Sequence, residues 1–124
     1  MIYLDTHVLI RLYIGDIETL SRAARETIER EDLLVSPAAV LELEYLHEIG
    51  RLAPNASKVA GALASEVGLR VCELPFPVIV EQALQEKWGR DPFDRLIVAH
   101  AKVKGAPLLT KDERIHRHYR RAIW

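Results

Sequence analysis

The 124 residues contain a single cysteine, Cys72, so no internal disulfide can form and a reducing compartment is favoured. No CxxC or Cys/His spacing of a zinc site is present. There is no basic excess either. The 17 lysines and arginines stand against 18 aspartates and glutamates, for a formal net charge of −1. A surface that attracts nucleic acid must therefore be a local patch. No stretch reaches the length of a membrane span, about 18–20 apolar residues. Met1–Asp5 has neither the basic region nor the apolar run of a signal peptide. Together these absences lead us to expect a cytoplasmic protein that does not associate with membranes. No repeat, low-complexity tract or linker interrupts the chain. What is present is a 49% apolar sequence of a size for one domain spanning 1–124, with a core of its own.

Short apolar runs alternate with helical patterns. Met1–Leu4, Leu33–Val35, Leu69–Leu74 and Leu108–Leu109 read as strands, and Ala122–Trp124 suits a sheet edge. Between them the spacing predicts helices over Thr6–Ile14, Ile17–Arg30, Pro37–Ile49, Pro54–Val67, Pro77–Lys87 and Asp91–Lys104, with a last short helix after Thr110. Gly15, Gly50, Gly68 and Gly105 stand where four of these helices should stop. Ser36 before Pro37 supplies an N-cap followed by proline at the first helical position. Alternating strands and helices imply an α/β fold, a mainly parallel sheet covered on both faces. Sites in such folds form beyond the carboxyl ends of the strands.

Several carboxylates fall in that region. Asp5 ends an otherwise apolar strand, either as a cap for the next helix or as a charge at the strand mouth. Glu42 shares a helical stripe with Ala38, Ala39, Leu46 and Ile49, so it lies on an apolar face and needs a partner, either an arginine or a metal. Glu44, with His47, Glu48 and Arg51, falls on a face expected to be solvated. Asp91 precedes Pro92 and is well placed to cap, with Asp94 as a capping-box-like partner. The two differ in face. Asp94 leads the apolar stripe Ile97, Val98 and Ala101, and Asp91 leads toward Arg95. Helical side chains lean toward the N-terminus, so Asp94 can project past the helix start into a cleft. Thr110 and Glu113 are spaced as a capping box, which leaves Asp112 spare just beyond the last strand.

Each acid has a structural explanation, but all of them recur where strands end or helices begin. Carboxylates gathered in one pocket repel and raise one another's pKa values, and a divalent cation relieves this. An oxygen-only donor set favours Mg²⁺ or Mn²⁺ over zinc. Such a site suits displacement at phosphorus.

At these residues the chain resembles the PIN-domain nucleases, and among them the VapC-type toxins of toxin–antitoxin pairs. Leu4-Asp5-Thr6-His7, Ser36 through Glu42-Leu43, Asp91-Pro92-Phe93-Asp94-Arg95-Leu96-Ile97-Val98-Ala99-His100-Ala101 and Leu109-Thr110-Lys111-Asp112-Glu113-Arg114-Ile115 are similar to the family's four motifs, in order and across nearly the whole chain. The resemblance implies a three-layer α/β/α sandwich and Mg²⁺-dependent endoribonuclease activity. It makes Asp5, Glu42, Asp94 and Asp112 the acidic metal site, Asp91 a close auxiliary, and Thr6 and Thr110 supporting hydroxyls. It also implies a homodimer and a cognate antitoxin, for which Leu9, Leu12, Tyr13, Ile17 and Leu20 offer an apolar groove. Cations for RNA are expected in residues 111–121, chiefly Lys111, Arg114 and Arg117, with Arg11 and Arg95 near the motifs. His116 and His118 are expected to face RNA or solvent.

Other readings are weaker. A response-regulator receiver needs two adjacent acids after the first strand, and Thr6 and His7 follow Asp5. It also needs a central phosphoacceptor aspartate, where the middle of this chain offers Asn55. A haloacid-dehalogenase-type phosphatase needs a second aspartate where His7 stands. A non-catalytic RNA-binding or scaffold module remains open, and it would bind RNA without metal-dependent cleavage.

Overall fold

The computed structural model describes residues 1–124. The chain runs β1 (Ile2–Leu4), α1 (Thr6–Ile14), α2 (Arg22–Arg30), β2 (Leu33–Val35), α3 (Pro37–Glu48) and α4 (Ala56–Val67). It continues through β3 (Arg70–Val71), α5 (Phe76–Ala83), α6 (Pro92–Lys104), β4 (Leu108–Leu109), α7 (Glu113–His118) and β5 (Ala122–Ile123). The five strands form one sheet in the order β3-β2-β1-β4-β5, and every pairing is parallel. Tyr3 is in register with Leu34 on one side and Leu108 on the other. From β1 the chain steps outward to β2 and β3, then returns across the sheet to β4 and β5. Parallel crossovers are right-handed, so this reversal puts the α1–α4 connections on one face and the α5–α7 connections on the other. The result is the expected α/β/α sandwich.

The reversal makes the carboxyl end of β1 a switch point, flanked by the ends of β2 and β4. All three residues of β1 are 0% exposed, as are Leu108 and Leu109 of β4. Each large apolar side chain removed from water contributes roughly 1.5–3 kcal/mol, enough to hold strands of two or three residues in place. Ile97, Val98 and Ala101, the inward stripe of α6, are also completely buried, and they anchor that helix beneath its acidic N-terminus. No helix is long and apolar enough to cross a membrane.

Most element ends agree with their local signals to within one residue, and four elements are shorter than their pattern by two residues or more. α2 begins at Arg22 rather than Ile17, because the Ser21 hydroxyl caps it by accepting from the Ala24 amide at 3.0 Å. Residues 17–20 form a turn that carries Leu20 into the core. α4 begins at Ala56, since Asn55 Oδ1 accepts from the Lys58 amide and leaves Pro54 outside. β3 pairs only over Arg70–Val71 of the expected Leu69–Leu74. α5 stops at Ala83 instead of Lys87, and the chain turns so that Glu86 enters the protein at 1% exposure. There the Glu86 carboxylate accepts from Gln82 Nε2 (3.0 Å), Trp88 Nε1 (2.6 Å) and Lys102 Nζ (2.7 Å). These four groups tie the segment leading to Asp91 onto α6. Gly105 closes α6 with φ +66°, a left-handed conformation that favours glycine.

Candidate metal centre

Asp5 sits at the switch point with 4% exposure. Its Oδ1 accepts from the Thr6 amide at 2.7 Å and caps α1. Its Oδ2 accepts from the Thr110 hydroxyl at 2.6 Å, which joins the ends of β1 and β4. That hydroxyl in turn accepts from the Asp112 amide at 3.0 Å. Burial pushes the Asp5 carboxyl up, but His7, Thr110 and the Thr6 amide together outweigh it, and the group ends below its ordinary value. Asp5 is therefore a fixed anion.

α3 and α6 bring the other acids. Glu42, Asp91 and Asp94 each present a carboxylate oxygen to one point, and the three atoms lie within 4.8 Å of one another. Asp5, Thr6, His7, Ile10, Glu42, Leu46, Asp94 and Asp112 line a cleft of about 180 Å³. The charges are felt across it. Burial, followed by the charges of Asp91, Asp5, Glu42 and Asp112, raises the Asp94 carboxyl from 3.8 to about 7. Burial also raises Glu42, with Asp5 and Asp91 adding to the shift and Thr6 and His7 opposing it.

Capping and site membership turn out to be compatible. Asp91 caps α6 through Oδ1, which accepts from the Phe93 and Asp94 amides at 2.8 and 3.3 Å. Asp112 caps α7 through Oδ1, which accepts from the Arg114 and Ile115 amides at 2.8 and 3.1 Å. In both, one oxygen serves the helix and the other is left over. Asp112 is thus itself the N-cap of α7 and not a spare residue beside a Thr110–Glu113 box, because Thr110 is turned to Asp5. Asp91 does not lead to Arg95 either. The Arg95 guanidinium donates through Nε and Nη2 to the Ala83 carbonyl at 3.1 and 2.9 Å, on the α5 side.

The donor set fits a hard divalent cation. All five acids offer oxygen, and the pocket holds a carboxyl, Asp94, that ionises with difficulty without a counter-charge. The Thr6 hydroxyl is buried at the cleft beside the Glu42 carboxylate and favours its charged form.

The cations are more scattered than the acids. Lys111, Arg114 and Arg117 are exposed around α7. Arg11 is half-buried over the Trp124 ring at 5.3 Å, with Nη1 shielded and unpartnered. His116 and His118 are exposed, as expected, and each also makes one contact within the protein: His116 Nε2 donates to the Thr110 carbonyl at 2.7 Å, and His118 stacks on Trp88 with centroids 5.5 Å apart. Glu44 is half-buried with Oε1 unpartnered, not on a solvated face. Leu9 is fully buried and cannot meet a partner, since it lies on the inward side of α1. Leu12, Ile17 and Leu20 do line a groove of about 160 Å³ with Ile28 and Val67. His7 and Glu86 had no weight as site or hub residues in the sequence. The available signal for Glu86 was its spacing of four residues from Gln82.

Comparison with known proteins agrees with this architecture. Ribonuclease VapC22 of Mycobacterium tuberculosis (strain ATCC 25618 / H37Rv) is 36% identical over 124 residues, covering 96% of this chain and 94% of the relative. Among solved structures, a toxin–antitoxin complex from Klebsiella pneumoniae superposes with a TM-score of 0.68 at 17% identity, covering 100% of this chain and 97% of that one. VapBC2 from Rickettsia felis, bound to a DNA fragment from their promoter, superposes with a TM-score of 0.70 at 17% identity, covering 100% and 98%. The family model of the PIN domain matches residues 2–121. With its motifs, sheet order and acidic cleft on one scaffold, this chain is a member of the PIN-domain family, related along its length to the VapC ribonucleases.

Proposed function

We propose that residues 1–124 act as one Mg²⁺-dependent endoribonuclease domain, the toxin of a toxin–antitoxin pair, with Mn²⁺ able to substitute. The observation that carries this reading is the convergence of Asp5, Glu42, Asp91, Asp94 and Asp112 on one cleft, where burial and then the neighbouring charges push Asp94 up to about 7. Asp5, Glu42, Asp94 and Asp112 would hold the ion, with Asp91 beside them. A bound Mg²⁺ supplies a Lewis acid that stabilises charge developing on phosphate and favours attack by water. The chain's own part is to fix its ligands before RNA arrives. The Thr110 hydroxyl aims Asp5 and holds the Asp112 amide. The caps of α6 and α7 orient Asp91 and Asp112. Lys111, Arg114 and Arg117 would contact phosphates along the approach, with Arg11 and Arg95 as further candidates near the motifs.

The test is cleavage of a structured RNA with Mg²⁺, with Mn²⁺ and with EDTA, together with analysis of the product ends. Water attack at an all-carboxylate site yields a 5′-phosphate and a 3′-hydroxyl. Products ending in a 2′,3′-cyclic phosphate, or full activity in EDTA, would refute the mechanism. RNA binding without any cleavage would favour a non-catalytic module on the same fold.

The relatives' names add a partner to the proposal. The chain would form a homodimer, and its antitoxin would lay an apolar segment along Leu12, Ile17 and Leu20 while setting a basic side chain against the acidic cleft. A monomer in light scattering at micromolar concentration would contradict the dimer. An antitoxin complex with full nuclease activity would contradict the inhibitory contact.

A further inference from the structure

His7, in the first turn of α1, touches three separate segments. Its Nε2 accepts from the Lys111 amide at 3.0 Å. Its Nδ1 lies 3.4 Å from Asp5 Oδ2. The Trp124 ring covers its side, with centroids 5.8 Å apart. A ring nitrogen that accepts from an amide carries no proton, so the ring proton sits on Nδ1 and is turned to the Asp5 carboxylate. In this state His7 has no free lone pair to give a metal. Both nitrogens are committed, and the donors around the cleft remain all oxygen.

Lys111 lies between Thr110, whose hydroxyl bonds Asp5, and Asp112, which faces the cleft. One bond from Thr110 fixes a point on this segment, and the second bond, from the Lys111 amide, fixes its direction. Both lead back to the N-terminal turn of α1, across 104 and 105 residues of sequence. We propose that His7 is a positioning residue: by joining the Lys111 amide to Asp5 it sets the span between the Asp5 and Asp112 carboxylates. Its effect on function rests on the metal reading above. Its effect on structure does not. Loss of a group that orients a metal ligand typically weakens metal binding or activity about 10- to 100-fold.

The experiment uses the metal-free full chain first. A long-range ¹H–¹⁵N spectrum of the histidine rings is expected to show His7 protonated at Nδ1 and bare at Nε2, and the opposite tautomer would overturn the proposal. Three variants then separate the two contacts. His7→Gln carries an acceptor out to about the Nε2 position, His7→Asn reaches only the Nδ1 position, and His7→Leu fills space without either contact. Slow hydrogen exchange at the Lys111 amide should persist in His7→Gln and be lost in His7→Asn and His7→Leu. Mn²⁺ affinity should follow the same order, with losses of about 10- to 100-fold in the last two. Equal Lys111 protection and equal Mn²⁺ affinity in all three folded variants would reduce His7 to packing and sink the idea. If the parent chain binds no Mn²⁺ at all, the metal reading fails, and the tautomer and Lys111 exchange still decide the role of His7.

Discussion

Replacing Asp94 by asparagine should make the metal-free protein more stable and the enzyme inactive, a combination that a mere capping residue cannot produce. Folded Asp94 ionises at about 7 and its unfolded counterpart near 3.8. Between those values the native state holds a proton that the unfolded state has lost. The folded protein is therefore penalised progressively as pH rises from about 4, and the full penalty is present above about 7. At about 1.4 kcal/mol per tenfold, that difference corresponds to about 4 kcal/mol at most. Asp94 keeps partial contact with water, and screening brings the figure to roughly 1–2 kcal/mol. Asp94→Asn removes the charge and keeps the shape. At pH 8 without metal its melting temperature should rise by roughly 4–8 °C, and the gain should vanish below about pH 4. Added Mg²⁺ should raise the melting temperature of the parent far more than that of the variant. Cleavage should fall by at least about 100-fold, the scale of losing one charge stabiliser of the transition state. Asp91→Asn keeps its cap, because asparagine serves equally well there, and should lose less activity. The assay pairs calorimetric melts at several pH values, with and without Mg²⁺, with RNA cleavage rates. An active Asp94→Asn enzyme, or a melting gain independent of pH, would refute the reasoning. Equal losses in both variants would make Asp91 a full ligand.

Thr110→Val preserves volume but removes the hydroxyl between Asp5 and the Asp112 amide. It should lower stability by about 1–3 kcal/mol in urea melts and weaken Mg²⁺ activation, and an unchanged Mg²⁺ titration would contradict the bridge. Glu86→Leu leaves the Lys102 ammonium without its carboxylate. Lys102 is partly exposed, so the loss should be about 2 kcal/mol, below the 3–5 kcal/mol of a fully buried pair, and a neutral result would show that the hub is dispensable. Ile17→Asp places a charge on a residue that is 48% exposed in the apolar groove. It should leave the melt and nuclease rate near those of the parent while weakening antitoxin binding by at least about tenfold in calorimetry. Retained affinity would move the antitoxin elsewhere.

The features legible in the sequence were those set over a few residues. Ser36 before Pro37, Asp5 before Thr6 and Asp91 before Pro92 mark helix starts because a cap acts over two or three residues, and all three cap as expected. The apolar stripe of α6 followed from helical periodicity, and β1, β2 and β4 from short apolar runs alternating with helical patterns. The four acidic motifs could be named in order because each resembles a motif of the PIN-domain family, whereas taken singly each acid also reads as a cap or a salt-bridge partner. Tertiary structure decided everything that depends on residues distant in sequence. Sheet order put β1 between β2 and β4, and only then did Asp5 meet Thr110 and Asp112. Glu86 ended α5 early because its partner Lys102 lies 16 residues on, where helix periodicity carries no information. Arg95, half-buried, turned to the Ala83 carbonyl 12 residues back, although nothing local distinguished it from an exposed cation. Local signals state which groups a residue can satisfy within its own turn. Which distant group it satisfies is decided by burial, since a polar atom removed from water takes whatever partner the packed fold brings within reach.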